Sequence, residues 1–146
     1  MNVSLDKAVQ GLLDLHLTRG VQPSDLADNL FDVEYTDYSL KKRGAVLILD
    51  LSYEESLEES LEDFSHKICM RYTYSMERYL VKIEQRIGSG KFSVQWCRST
   101  AIAKAVADVT LCLSKAGLSS MAISKVLGTL PQDLVNSIGE RLKLVA

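Results

Sequence analysis

The 146-residue sequence is poor in the residues that usually carry chemistry or covalent cross-links. It has two histidines, one tryptophan, two prolines and three cysteines. An odd number of widely spaced cysteines argues against a disulfide framework and is typical of free thiols in a reducing compartment. We therefore expect a cytoplasmic protein.

Long apolar runs are also missing. Lys104 and Asp108 interrupt the most apolar stretch, so the sequence has no candidate for a membrane-spanning helix. The first eleven residues include an early acid, a single base and no continuous apolar core, and we expect no secretory signal there. No membrane partner is predicted.

No catalytic or cofactor motif is recognisable. The segment IGSGKFSVQ at 87–95 lacks the third glycine of a phosphate-binding loop and follows no predicted strand. His66 and Cys69 have too few partners to form a metal site or an activated nucleophile. We therefore expect a protein that is not an enzyme and that has no cofactor and no bound metal.

The charges, by contrast, are sorted along the chain. Residues 1–65 carry fourteen acidic and five basic residues, a net charge of −9. Residues 66–146 carry twelve basic and five acidic residues, a net charge of +7, so the whole-chain value of −2 conceals the division. Such asymmetry indicates an anionic partner for the basic half, most often nucleic acid.

Apolar periodicity predicts helices at both ends of the chain. Helices are expected at 4–19, at 23–31 with Pro23 in the first turn, from Thr100 to about 116, at 119–127 and at 131–144. The segments VEYTDYS and GAVLILDL predict two strands of a hairpin, joined by LKKRG with Gly44 in the turn. A further short strand is expected at FSVQW, residues 92–96.

The longest predicted element is a helix over residues 53–87. Apolar residues recur there at steps of three or four, beginning at Leu57 and ending at Ile87. Poor helix formers at 69–75 leave open a break into two helices. A helix of this length usually packs on a partner helix, so we expect a homodimer.

These elements predict a mainly α-helical α+β fold with five to six helices, one of them long and central, and a small antiparallel hairpin or three-stranded sheet. We expect a single domain, residues 1–146. It would consist of an acidic part at 1–52, the long helix at 53–87 and a basic helical part at 99–146.

On a helical wheel, five bases of the long helix fall within one arc. This basic stripe would contact successive phosphates, although a solvated face that pairs with acids explains the same pattern. Its members are Lys67, Arg71, Arg78, Lys82 and Arg86.

Residues 108–127 match a helix-turn-helix, with Gly117 in the turn and Leu113 as a misfit where a small residue is usual. Lys125 would then face the groove. A rival frame places Gly128 at the turn and uses 131–144 as the helix that contacts bases. It would expose Gln132, Asn136 and Arg141, which are chemically better suited to base edges.

The sequence thus favours a small DNA-binding transcriptional regulator. The C-terminal helices would enter the groove while the basic stripe contacts phosphates, and the acidic N-terminal half would bind a protein partner. The alternative is a non-enzymatic protein-interaction module, such as an adaptor, secretion chaperone or inhibitor.

Overall fold

The computed structural model describes residues 3–56, 65–117, 119–128 and 130–132. The chain divides into two compact units. A sheet unit runs from Arg19 to Arg98, and a helical unit is formed by the chain before and after it.

The helical unit contains α1 (Val3–Leu17), α3 (Arg98–Ala116) and α4 (Ser120–Leu127). These bounds confirm the predicted helices at 4–19, 100–116 and 119–127. Within the described ranges, no helix has both the length and the apolar character of a membrane span. The helix predicted at 131–144 lies almost entirely outside the described residues.

The core of this unit is an aliphatic cluster contributed by α1, α3 and Leu130. Leu5 and Leu12, seven residues apart, lie on one face of α1 because seven residues make two helical turns. Leu17, the last residue of α1, is exposed. The other buried members of the cluster are Val106, Val109 and Leu113 on α3.

The sheet unit begins with α2, Pro23–Ala27, followed by a 3₁₀ turn at Asp28–Phe31. Its main element is a five-stranded antiparallel sheet in which each strand pairs with the next along the chain. The strands are β1 (Tyr35–Arg43), β2 (Val46–Ser56), β3 (Ser65–Ser75), β4 (Leu80–Ile87) and β5 (Ser93–Cys97).

The predicted hairpin is confirmed as β1 and β2. Residues 40–43 continue β1, so the turn is confined to Gly44 and Ala45, and Gly44 has a φ of +58°. The predicted strand at 92–96 corresponds to β5, which pairs with β4 and not with the hairpin.

The mainly α-helical fold with a long central helix is wrong. Residues 53–56 end β2, and 65–75 and 80–87 form β3 and β4, while 57–64 lie outside the described residues. The error has a physical cause, because a step of four residues keeps side chains on one side of a helix and also on one face of a strand. The homodimer was predicted from this helix, and no other element among the described residues was used to predict it.

The two faces of the sheet differ in chemistry. One, the tyrosine face, carries a cluster of aromatic and aliphatic side chains that packs against Leu26 of α2. The Tyr74 hydroxyl donates to the Val21 carbonyl at 2.7 Å, and that of Tyr38 to the Pro23 carbonyl at 3.1 Å. These bonds and the burial of Leu26 hold α2 against the sheet.

The opposite face of the sheet, which we call the charged face, carries seven ionisable side chains. They are Asp37 of β1, Asp50 of β2, Lys67 and Arg71 of β3, and Lys82, Glu84 and Arg86 of β4.

Candidate functional site

Four of the five basic-stripe residues lie together on the charged face. Lys67 and Arg71 are on β3, and Lys82 and Arg86 are on β4. The register places Arg86 opposite Cys69 and Lys82 opposite Thr73, so all four side chains belong to the same face. Four of the five predicted residues are thus brought together, on two strands of a sheet and not on one helix.

Arg71 is held by an ion pair inside the sheet. Its Nε and Nη2 donate to the two carboxylate oxygens of Asp50 at 2.8 and 3.0 Å. This hydrogen bonding raises the pKa of Arg71. The guanidinium also lies 4.1 Å from the centre of the Phe92 ring, so Arg71 ties β2 and β3 together and its charge is compensated by Asp50.

Two more stripe residues are paired with carboxylates. Lys67 Nζ lies 2.9 Å from Asp37 Oδ2, and this hydrogen bond lowers the pKa of Asp37 and raises that of Lys67. Lys82 Nζ lies 3.4 Å from Glu84 Oε1. Three of the five stripe charges are therefore compensated by carboxylates within the sheet.

Arg86 differs from these three because it forms no ion pair with a carboxylate among the described residues. Its guanidinium is 4.8 Å from the centre of the Phe92 ring, which it shares with Arg71. Its Nε is buried and has no hydrogen-bond partner among the described residues. The Phe92 ring thus covers the guanidinium groups of two of the stripe residues, Arg71 and Arg86.

Arg78, the fifth stripe residue, lies away from the charged face. It is exposed in the turn between β3 and β4, where its φ is +73°. No sequence signal marked this turn, because residues 76–79 contain neither glycine nor proline.

The structure describes only part of the predicted groove-contacting set. Gly117 follows α3 with a φ of +57°, as predicted for the turn, and the Ala122 N–H donates to Ser119 Oγ at 3.3 Å near the start of α4. Lys125 and Gln132 are exposed, whereas Asn136 and Arg141 lie outside the described residues. Leu113, the predicted misfit, is buried in the helical core.

Sequence reasoning missed an exposed segment that precedes β1. We call residues 28–34 the acidic–apolar segment, because Asp28, Asp32 and Glu34 alternate there with apolar side chains. Phe31 is 90% exposed and Val33 is 99% exposed. Apolar periodicity placed Phe31 in a short helix, and nothing in the sequence showed that its ring would remain uncovered.

The chain matches no protein family model, and neither the curated proteins nor the solved structures include a significant match. The function must therefore be argued from the chemistry of these surfaces.

Proposed function

We propose that this chain is a non-enzymatic protein-interaction module of the cytoplasm that binds its partner through the acidic–apolar segment. The observation that supports the proposal is the nearly complete exposure of Phe31 and Val33, two residues apart in one segment. Contiguous exposed apolar side chains are typical of protein interfaces, whereas isolated ones are common on any surface.

The partner's chemistry follows from the composition of the segment. An aromatic and a β-branched side chain need an apolar pocket, and the three carboxylates around them favour a basic rim. The segment leads directly into β1, an edge strand whose residues are exposed except for the half-buried Tyr35 and Tyr38. An extended partner segment would therefore have free backbone groups to pair with beside the apolar contact.

Removing both apolar side chains should abolish this interaction and leave the fold intact. In the variant Phe31→Ser with Val33→Ser, unfolding should shift by no more than about 0.5 kcal/mol, as is usual for exposed positions. A central anchor residue contributes about 2 kcal/mol or more, so affinity should fall by more than about tenfold. The measurement is quantitative co-purification of proteins from source-cell extract with the wild type and with the variant.

The matched control is Leu111→Ser with Met121→Ser, which removes two exposed apolar side chains from the helical unit. We expect one stoichiometric partner that is lost with the first variant and retained with the control. Identical sets of bound proteins from all three chains would contradict the proposal.

DNA binding through the helical unit is the second candidate function. It is favoured by Gly117, which directly follows α3 with a φ in the left-handed region and comes three residues before the start of α4. Three of the five charges of the basic stripe are compensated within the sheet. Lys125 is then the described cation best placed on the helix that was predicted to contact the groove.

On this second proposal, the protein binds random-sequence duplex DNA at roughly 50 mM salt and much more weakly at roughly 200 mM. Lys125→Glu should weaken that binding by about tenfold or more, whereas Lys7→Glu, which reverses an exposed charge on α1, should not. Fluorescence anisotropy measures both. A folded protein that does not bind at the lower salt concentration would exclude this function.

A further inference from the structure

The sheet unit contains an open cavity of about 530 Å³ that none of the functions above uses. It lies where the start of α2, the end of β1 and the turn between β3 and β4 converge. Its volume is in the range of small-ligand sites.

Two cations from separate elements line this cavity: Lys42 from β1 and Arg78 from the turn between β3 and β4. Neither forms an ion pair with a described carboxylate, in contrast to Lys67, Arg71 and Lys82 on the charged face. Lys42 lies on the opposite face of the sheet from those residues. The register shows this, because Lys42 pairs with Leu47 whereas its neighbour Lys41 pairs with Ile48. The cavity therefore has two cations that no described carboxylate contacts directly, although the carboxylate of Asp25 lies close enough to act on Tyr74 of the lining.

Arg78 is held in place by a strained turn. Its positive φ is a conformation that side chains other than glycine adopt at an energetic cost. The Arg78 N–H donates to the Ser75 carbonyl at 3.0 Å, and the Gln22 side-chain amide donates to the Arg78 carbonyl at 3.1 Å. The Ser75 N–H in turn donates to the Tyr79 carbonyl at 2.9 Å. Strain maintained by surrounding bonds is frequent at ligand sites.

The remaining walls are partly apolar. Leu47, Tyr74, Met76 and Ser24 are among the residues that line it. A bare anion would leave the apolar wall in contact with water, whereas an anion attached to a ring or chain would cover it.

We propose that this cavity is a binding site for a phosphate group attached to an apolar or aromatic body, as in a nucleotide. Lys42 and Arg78 donate charge-assisted hydrogen bonds to the phosphate oxygens, and Leu47 and Met76 contact the attached body. This inference is independent of the proposed protein interface, because it uses none of the residues at 28–34.

The test is calorimetric titration of the full chain with phenyl phosphate and with inorganic phosphate. We expect one saturable site for phenyl phosphate and weaker binding of inorganic phosphate. Arg78→Gly should reduce phenyl phosphate affinity about tenfold or more without loss of stability, since glycine adopts the positive φ without strain. Lys42→Ala should reduce the affinity similarly.

The control is Lys41→Ala, which removes the same charge from the neighbouring residue but on the opposite face of β1. If Lys41→Ala weakened phenyl phosphate binding equally, the loss of affinity would follow from net charge alone, and the proposal would be overturned. So would the absence of saturation below about 10 mM, a concentration that corresponds to negligible affinity. The titration is then repeated with thymidine monophosphate and with a thymidine pentanucleotide. Tighter binding of the monophosphate would identify a free nucleotide as the source of the phosphate. Tighter binding of the pentanucleotide would identify a nucleic-acid strand.

Discussion

Replacing Gly20 with alanine should destabilise the sheet unit by about 2–5 kcal/mol, with about 1–2 from the left-handed backbone and about 1–3 from overpacking. Gly20 has a φ of +90°, and a Cβ at this position would lie 2.8 Å from the Leu80 Cβ. Leu80 cannot move aside easily, because it is buried and its N–H donates to the Arg19 carbonyl at 2.7 Å. Its own carbonyl accepts from Arg98 Nε at 2.6 Å.

Chemical denaturation followed by circular dichroism measures this loss. Gly44→Ala is the matched control, since Gly44 also has a positive φ but a Cβ there would meet nothing within 4 Å. The control should lose only the backbone contribution, about 1–2 kcal/mol. If the two variants were equally destabilised, the close approach to Leu80 would carry no energetic weight.

Tyr74→Ala should cost about 3–5 kcal/mol, the usual loss on truncating a fully buried aromatic side chain. Tyr74 is 1% exposed in the core of the tyrosine face, where its hydroxyl donates to the Val21 carbonyl. Tyr74→Phe keeps the ring and removes only this bond, so its loss should be about 1–3 kcal/mol. Denaturant unfolding of the two variants therefore separates packing from hydrogen bonding, and equal losses would show that the ring contributes little.

The same residue predicts a weakness in alkali. Burial raises the pKa of Tyr74 above its usual value of 10.0. The unfolded chain releases this proton at a lower pH than the folded chain, so the contribution is complete below pH 10 and is lost as pH rises beyond it. The loss is about 1.4 kcal/mol for each pH unit until the folded protein also ionises. Tyr74→Phe should make the decline of stability above pH 10 shallower, and an unchanged slope would contradict the assignment.

The sequence predicted those elements that have local signals. Gly44 marked the hairpin turn, Pro23 the start of α2 and Gly117 the end of α3, and each was confirmed. The turn between β3 and β4 has no such signal, because Arg78 adopts a conformation that normally favours glycine. Without that break, the four-residue steps from Ile68 to Tyr72 and from Ile83 to Ile87 suggested one helix. The aromatic and β-branched composition of residues 69–75 was the signal that favoured a strand.

The candidate site was predictable only in part for a related reason. The even spacing of Lys67 and Arg71, and of Lys82 and Arg86, keeps each pair on one side of either a helix or a strand. Their partners Asp37 and Asp50 come from other strands, and only the register of the sheet brings them within hydrogen-bonding distance. Long-range compensation of charge has no signature in a single sequence.

The division of the helical unit into two chain segments has a consequence for folding. Arg98 Nη2 donates to the Arg19 carbonyl at 3.3 Å, so the first and last residues of the sheet unit lie together. Before that unit folds, α1 and α3 are separated by a flexible loop, and bringing them together costs the entropy of closing it. Once the sheet has formed, the two ends are already adjacent and most of that cost has been met. Formation of the sheet unit therefore lowers the entropic cost of bringing α1 and α3 into one core.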